Sequence, residues 1–439
     1  MTPILTLYEL LQAGAGISTD SRTPEPGSLF FALKGENFDG NKFAPAALQN
    51  GCRLAVVDDP AYAGRENYLV VEDVLSTLQQ LGSYHRMQLN FPVIGITGSN
   101  GKTTTKELLH RVLSRMYRTS ATKGNLNNHI GVPLTLLSFK PSLEMAIVEM
   151  GANHVGEIAA LSHLAKPDYG IITNIGKAHL EGFGSLENIA KAKGELYDHV
   201  RHHKGTLFVN HNQAVLAAMA EGVDSVHYGY SDDLHCTGIV QQSSPFVEMH
   251  FHTNKDFGQA TAGMQGNIRS QLTGAYNAEN ILAAITIGLY FGVPVDDIEA
   301  AVADYQPTNN RSQMLQTPHN SIIMDAYNAN PTSMAAAIEN FSLFTDLPKV
   351  AILGDMLEMG ADACKEHEAI ARLAFEQGFK QVIFVGPQFR EVANVNPQGR
   401  HFADVDEAAT WLKENPLKGN RVLIKGSRGI QLEKLVNYL

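Results

Sequence analysis

Residues 91–113 read Phe91-Pro92-Val93-Ile94-Gly95-Ile96-Thr97-Gly98-Ser99-Asn100-Gly101-Lys102-Thr103-Thr104-Thr105-Lys106-Glu107-Leu108-Leu109-His110-Arg111-Val112-Leu113. The first six form an apolar run that predicts a buried strand, and the residues from Thr104 to Leu113 have helical spacing. Strand, glycine turn, Lys-Thr and helix is the arrangement that a nucleoside triphosphate needs. The glycines let backbone N–H groups approach phosphate oxygens, and the helix N-terminus adds a partial positive charge. Gly98, Ser99, Asn100, Gly101, Lys102, Thr103 and Thr104 are therefore expected to bind ATP, with Lys102 on the β- and γ-phosphates and the Thr103 hydroxyl on Mg²⁺. The common loop carries a further glycine five residues before the second one, and here that position is Ile96. A shortened loop of this kind disfavours an ordinary GTPase or motor ATPase.

The chain has 439 residues, enough for about three domains at about 150 residues each. Hydrophobic residues make up 44% and charged residues 18%, the balance of a globular protein with several cores. The net charge of −11 argues against a nucleic-acid surface. Cys52, Cys236 and Cys364 are odd in number and far apart, so neither a disulfide framework nor a cysteine zinc site is expected. The first residues lack the basic region of a signal peptide, and no apolar run has membrane-spanning length. The expectation is a cytoplasmic enzyme without membrane insertion.

The pattern predicts an α/β protein of three domains. Residues 1–88 form a small α/β unit with strands at Ser28–Leu33, Leu54–Val57 and Tyr68–Val71, and with Asp73 capping a helix. Residues 89–309 form a central P-loop mononucleotide-binding domain. Apolar strands at 145–148, 169–172 and 206–209 alternate there with helices, which implies a mostly parallel sheet. Alternation between His235 and Gly263 predicts an antiparallel patch, followed by a helix from Tyr276 to about Phe291. Residues 310–439 repeat the βα pattern, with strands at 322–324, 350–353, 382–385 and 422–424 and helices at 334–344 and 407–413. This predicts a Rossmann-like, doubly wound sheet that lacks a dinucleotide fingerprint.

Glu149 ends the apolar strand Met145-Ala146-Ile147-Val148. Ligands of such sheets gather at strand carboxyl ends, so Glu149 is expected to reach a metal on the triphosphate. His179 lies just past another strand end, where an imidazole ligates a cation or touches phosphate, or else is a plain loop histidine. Helical spacing puts Lys193 on the apolar side with Ile189, Leu196 and Val200, while Lys191 falls on the charged face. Two readings of Lys193 stand. Its stem snorkels to water, or burial favours a neutral amine that adds CO₂ and, as an anionic carbamate, helps hold Mg²⁺. His199, His202 and His203 fit no closed zinc site and read as a hydrated helix end.

Taken together, these segments resemble the Mur ligase family over essentially the whole chain. The shortened loop is one such segment. Others are Gly124-Asn125-Leu126-Asn127-Asn128-His129, Glu149-Met150-Gly151-Ala152-Asn153-His154, Ala178-His179-Leu180-Glu181-Gly182, Lys191-Ala192-Lys193-Gly194-Glu195, Asp325-Ala326-Tyr327-Asn328-Ala329-Asn330-Pro331 and Gly354-Asp355-Met356-Leu357-Glu358-Met359-Gly360. The resemblance implies an ATP-dependent amide ligase of peptidoglycan precursor synthesis that adds D-alanyl-D-alanine to UDP-N-acetylmuramoyl-tripeptide through an acyl phosphate. It implies that residues 1–88 hold the UDP sugar, 89–309 hold ATP, and 310–439 close with the dipeptide. On that basis Ser21, Arg22, Lys34 and Gly35 would contact the UDP substrate, with a local turn capped by Asp20 as the other reading, and so would Asn125 and Asn128, whose other reading is plain turn chemistry beside glycine. Asn277 and Asn280 would lie on the adenine side, or else cap the long helix. Arg311, Asp325 and Asn328 would join the nucleotide, and Lys425, Ser427 and Arg428 would take a substrate carboxylate. Lys102, Glu149, His179 and Lys193 would be catalytic, with Thr103, Glu149, His179 and a carbamylated Lys193 around two Mg²⁺ ions. A monomer is expected. Asn330 before Pro331 reads as a helix N-cap. Asn310 and Met359 replace the glycine and leucine usual in the family; asparagine tolerates left-handed backbone angles.

Two rival readings bear on function. One is a relative adding a single amino acid, such as a diaminopimelate- or lysine-adding ligase or a folylpolyglutamate synthase, and the Asp-Ala-Tyr-Asn-Ala-Asn segment argues against it. The other is a non-ligating nucleotide switch. A guanine-binding switch would carry Asn-Lys-x-Asp, and Asn254-Lys255-Asp256 fails that spacing.

Overall fold

Alternate residues of a strand face opposite ways, and in the first sheet this splits Phe30 from Phe31. The computed structural model describes residues 3–390 and 399–439. The chain folds as two compact units. One is Met1–Gly95 with Arg118–Ala152 and Glu157–Tyr169, and the other is Ile96–Tyr117 with Asn153–Gly156 and Gly170–Leu439. Met1 and Thr2, the start of the expected signal-free N-terminus, lie outside the described residues.

In the first unit, strands Ile17–Ser18, Leu29–Phe31, Leu54–Val57 and Tyr68–Val70 form a four-stranded parallel sheet in that order. Phe31 and Val56 pack with Leu7, Leu78 and Leu81 on one face. Phe30, Ala55 and Val57 pack with Ala44 and Ala47 on the other. Helix Val74–Met87 starts as expected at Asp73, whose side chain accepts from the Ser76 N–H at 2.6 Å. The expected strand Ser28–Leu33 narrows to Leu29–Phe31.

Among the described residues, nine strands form the largest sheet. Val93–Thr97 and Met145–Glu149 are buried at every position, as apolar runs in a covered sheet require. Thr119–Ala121 lies parallel to Met145–Glu149. Thr206–Asn210, Ser225–Gly229 and Cys236–Gln242 are also parallel neighbours. The expected antiparallel patch is Cys236–Gln242, Glu248–Thr253 and Gln265–Arg269, which runs past Gly263. Helix Lys102–Leu113 packs against helix Tyr276–Tyr290. A Cβ at Gly288 would stand 2.5 Å from Val112 Cγ1, so glycine permits that close approach.

Among the described residues, the last sheet has six strands in the order Gln313–Gln316, Ser321–Asp325, Arg421–Lys425, Lys349–Gly354, Gln381–Val385 and Gly399–Phe402. The first pair is antiparallel and the others are parallel. The four apolar strands appear where the sequence predicts them; both edge strands escape the pattern, because edges carry mixed residues. Helix Pro331–Ser342 begins at the cap expected from Asn330, which forms a capping box with Ser333, three residues before the apolar pattern starts at Met334.

Candidate active site

The turn after strand Val93–Thr97 is held from outside by the segment that follows strand Tyr169–Ile172. Asn174 O accepts from the Ser99 N–H at 2.9 Å. Asn174 Oδ1 accepts from the Asn100 N–H at 2.9 Å, and Thr173 Oγ1 donates to Asn100 O at 2.6 Å. Ser99 Oγ donates to Gly176 O at 2.9 Å. The glycines are obligatory here. Gly98 has φ 144° and Gly101 has φ 80°, and a Cβ on them would collide with Thr173 Oγ1 and Asn280 Oδ1. Gly101, with no side chain to offer, stands at the N-cap of helix Lys102–Leu113. Lys102 Nζ folds back onto Gly98 O at 2.6 Å and Ser99 O at 3.2 Å. Thr103 is buried, and Asn100 Nδ2 is buried without a hydrogen-bond partner among the described residues.

Asn277 and Asn280 do not cap the long helix, which starts after Ala275. They are buried inside it, with Asn277 Nδ2 on Thr273 O at 2.8 Å and Asn280 Nδ2 on Asn277 Oδ1 at 2.9 Å. Thr105 Oγ1 donates to Asn280 Oδ1 at 3.1 Å, which ties this pair to the helix behind the turn.

Glu149 is 2% exposed. Its Oε1 accepts from Asn127 Nδ2 at 2.8 Å, and Asn127 O accepts from the Gly151 N–H at 2.8 Å. The sequence singles out only Asn125 and Asn128 in this segment and misses Asn127. Asn125 is exposed. Asn128 Oδ1 accepts from the Gly131 N–H at 2.9 Å, the turn chemistry of an asparagine before a helix.

His179 adopts φ 53°, and its Nδ1 pairs with Glu358 Oε2. That hydrogen bond holds the Glu358 carboxyl below its ordinary value. An imidazole held by a carboxylate at Nδ1 offers Nε2 to a cation. Lys177 Nζ reaches Glu366 Oε1 at 2.5 Å. Lys193 is 1% exposed, so its stem does not snorkel to water. The amine stands 5.0 Å from the Phe183 ring centroid. Lys191 is exposed, as its helical face predicts, and His202 and His203 lie at the exposed helix end.

In the last sheet, Lys425 is 2% exposed and Nζ pairs with Asp325 Oδ2 at 2.7 Å. Asp325 Oδ1 accepts from the Ser312 N–H at 3.1 Å. Asn328 is exposed, and its carbonyl lies 3.4 Å from Lys425 Nζ. Ser427 is buried, with Oγ accepting from the Leu357 N–H at 2.9 Å. Arg311 and Arg428 meet at one ring, that of Tyr327.

In the first unit, Arg22 and Asp20 pair at 2.7 Å, and the Arg22 side chain and N–H bring the Asp20 carboxyl down to about 2. This is the local turn, with Ser21 giving its carbonyl to Asn50 Nδ2 at 2.8 Å. Lys34 Nζ pairs with Asp58 Oδ1 at 2.8 Å, which raises the lysine above its ordinary value. Gly35 lies under Phe38, whose ring a Cβ would strike.

Three family models match in order: "Mur ligase family, catalytic domain" over residues 15–86, "Mur ligase middle domain" over 96–288, and "Mur ligase, glutamate ligase domain" over 310–428. A Bacillus subtilis (strain 168) relative, UDP-N-acetylmuramoyl-tripeptide–D-alanyl-D-alanine ligase, is 35% identical over 434 residues, which covers 97% of this chain and 93% of the relative. The chain belongs to the Mur ligase family. Solved Mur ligases share its fold. Acinetobacter baumannii MurF superposes with a TM-score of 0.86 at 34% identity, over 96% of this chain and 92% of that one. Thermotoga maritima MurF in complex with ADP gives 0.85 at 25% identity, over 98% and 97%. Among the described residues of this Mur ligase, no helix is long and apolar enough to cross a membrane.

Proposed function

We infer that this chain is an ATP-dependent ligase that joins D-alanyl-D-alanine to UDP-N-acetylmuramoyl-tripeptide in peptidoglycan precursor synthesis. The observation that carries the reading is the turn 98–103, whose positive-φ glycines lead from a buried strand into a helix N-terminus, in a chain that matches D-alanyl-D-alanine-adding relatives over nearly its full length. Residues 1–88 would take the UDP sugar, 89–309 ATP, and 310–439 the dipeptide. The enzyme would work as a monomer in the cytoplasm.

The C-terminal carboxylate oxygen of the tripeptide attacks the γ-phosphorus of ATP, and ADP leaves. Lys102 turns from the loop carbonyls to the transferring phosphoryl group and offsets its charge. The N–H groups at the start of helix Lys102–Leu113 hold the phosphate oxygens. The amine of D-alanyl-D-alanine then attacks the acyl carbon, phosphate leaves, and one proton is lost from nitrogen. Closure by residues 310–439 would exclude water from the acyl phosphate.

The Thr103 hydroxyl and the Glu149 carboxylate are oxygen donors of the kind that Mg²⁺, a hard ion needing only one or two carboxylates beside phosphate, takes, and each would serve it. When bound it would neutralise phosphate charge. His179 and a carbamylated Lys193 would hold a second ion. In that modification the neutral Lys193 amine adds CO₂ and releases one proton. Mass spectrometry in CO₂-containing buffer should find the adduct, and Lys193→Ala should regain activity with short carboxylates. No adduct and a fully active alanine variant would remove the modification.

The deciding assay is phosphate release with each substrate omitted in turn. Release should require ATP, UDP-N-acetylmuramoyl-tripeptide and D-alanyl-D-alanine together. Undiminished release without the dipeptide would refute the reading.

A further inference from the structure

Tyr327 follows strand Ser321–Asp325, and two arginines from separate loops converge on its ring. Arg311 Cζ stands 3.7 Å from the ring centroid, and Arg428 Cζ stands 5.4 Å from it. Both distances fall inside the range of cation–π attraction. Arg311 is presented by a strained turn, with Asn310 at φ 56° and Ser312 at φ 51°. That turn is fastened to the strand end, since the Tyr327 N–H donates to Asn310 O at 3.2 Å and Asp325 Oδ1 accepts from the Ser312 N–H at 3.1 Å. Tyr276 reaches Ser312 Oγ at 2.8 Å from the other side. Arg311 Nε is buried and has no hydrogen-bond partner among the described residues. Arg428 is exposed.

Two guanidinium groups on one ring repel each other, and the ring's negative faces offset part of that cost. Such a pair becomes favourable when anionic groups arrive. We infer that Tyr327 is a positioning residue that aims Arg311 at the nucleotide phosphates and Arg428 at the carboxylate of the incoming dipeptide. The inference rests on the ligase reading above and deepens it. ATP and dipeptide sites share one aromatic surface, so loss of the ring weakens both. The phenol hydroxyl is not needed for this role.

The test replaces Tyr327 with phenylalanine and then with phenylalanines of increasing ring fluorination. Fluorine drains the ring faces while the shape stays nearly constant. Tyr327→Phe should keep both KM values near those of the parent. Progressive fluorination should raise KM for ATP and for D-alanyl-D-alanine, by about three- to tenfold at full fluorination, with kcat and Tm nearly unchanged. In an Arg428→Ala background the same series should no longer move the dipeptide KM. A flat fluorination series in an active enzyme would overturn the inference, as would a Tyr327→Phe variant as impaired as the fluorinated ones. An unsubstituted enzyme that forms no amide would instead sink the ligase reading, so the two failures are distinct.

Discussion

Gly98→Ala tests the cradle at its tightest point. Gly98 sits at φ 144°, where an L side chain is strained, and strain of this kind costs about 1–3 kcal/mol. The added Cβ would also overlap Thr173 Oγ1 and lie 3.1 Å from Thr173 N and 3.2 Å from Asn174 N. Those backbone atoms cannot swing aside as a side-chain tip does. The displaced segment is the one that holds Ser99 and Asn100 at 2.9 Å each. Loss of that alignment should cost ATP binding at least about 2 kcal/mol, a factor of about 30 in Kd. Gly222→Ala is the control, since it shares a positive φ of 76° but has open space around its Cβ. Titration calorimetry with ATP, paired with thermal unfolding, separates the two. Gly98→Ala should lose nucleotide affinity, whereas Gly222→Ala should lose only stability, by about 1 kcal/mol. A Gly98→Ala protein that binds ATP like the parent would refute the reasoning.

Three further outcomes are expected. Lys102→Ala should abolish amide formation while circular dichroism shows an intact fold, because the lysine neutralises charge only on the transferring group. Lys425→Met should leave the Asp325 carboxylate without its buried cation, and denaturant unfolding should register a loss of about 3–5 kcal/mol. The depressed Glu358 carboxyl stabilises the fold above its ordinary value of 4.5, and that contribution is lost as pH falls through the lower folded value. His179→Ala should therefore move the midpoint of acid unfolding to higher pH, and an unmoved midpoint would remove the pair's role.

Much of the frame is legible because buried strands are written as continuous apolar runs, as in Val93–Thr97 and Met145–Glu149. The edge strands Gln313–Gln316 and Gly399–Phe402 are not, since their residues are mixed and only half covered. Helical spacing places Lys193 on the inner face, but its depth depends on the elements packed over it. Asn277 and Asn280 read as caps by residue type, yet they lie within the helix, where a buried hydrogen-bond chain satisfies them. The partners that complete the candidate site are distant in sequence. Asn127 holds Glu149 across 22 residues, and Glu358 holds His179 across 179. No local pattern marks such pairs, and Tyr327 likewise looks like an ordinary aromatic until two loops bring arginines to its ring.

Oxygen tracing addresses carboxylate activation without intermediaries. UDP-N-acetylmuramoyl-tripeptide labelled with ¹⁸O in its C-terminal carboxylate would be turned over with ATP and D-alanyl-D-alanine, and the released phosphate weighed by mass spectrometry. Attack of that carboxylate on the γ-phosphorus requires one labelled oxygen in the phosphate for each amide formed. Amide formation with unlabelled phosphate would show that the acid is activated by some other route.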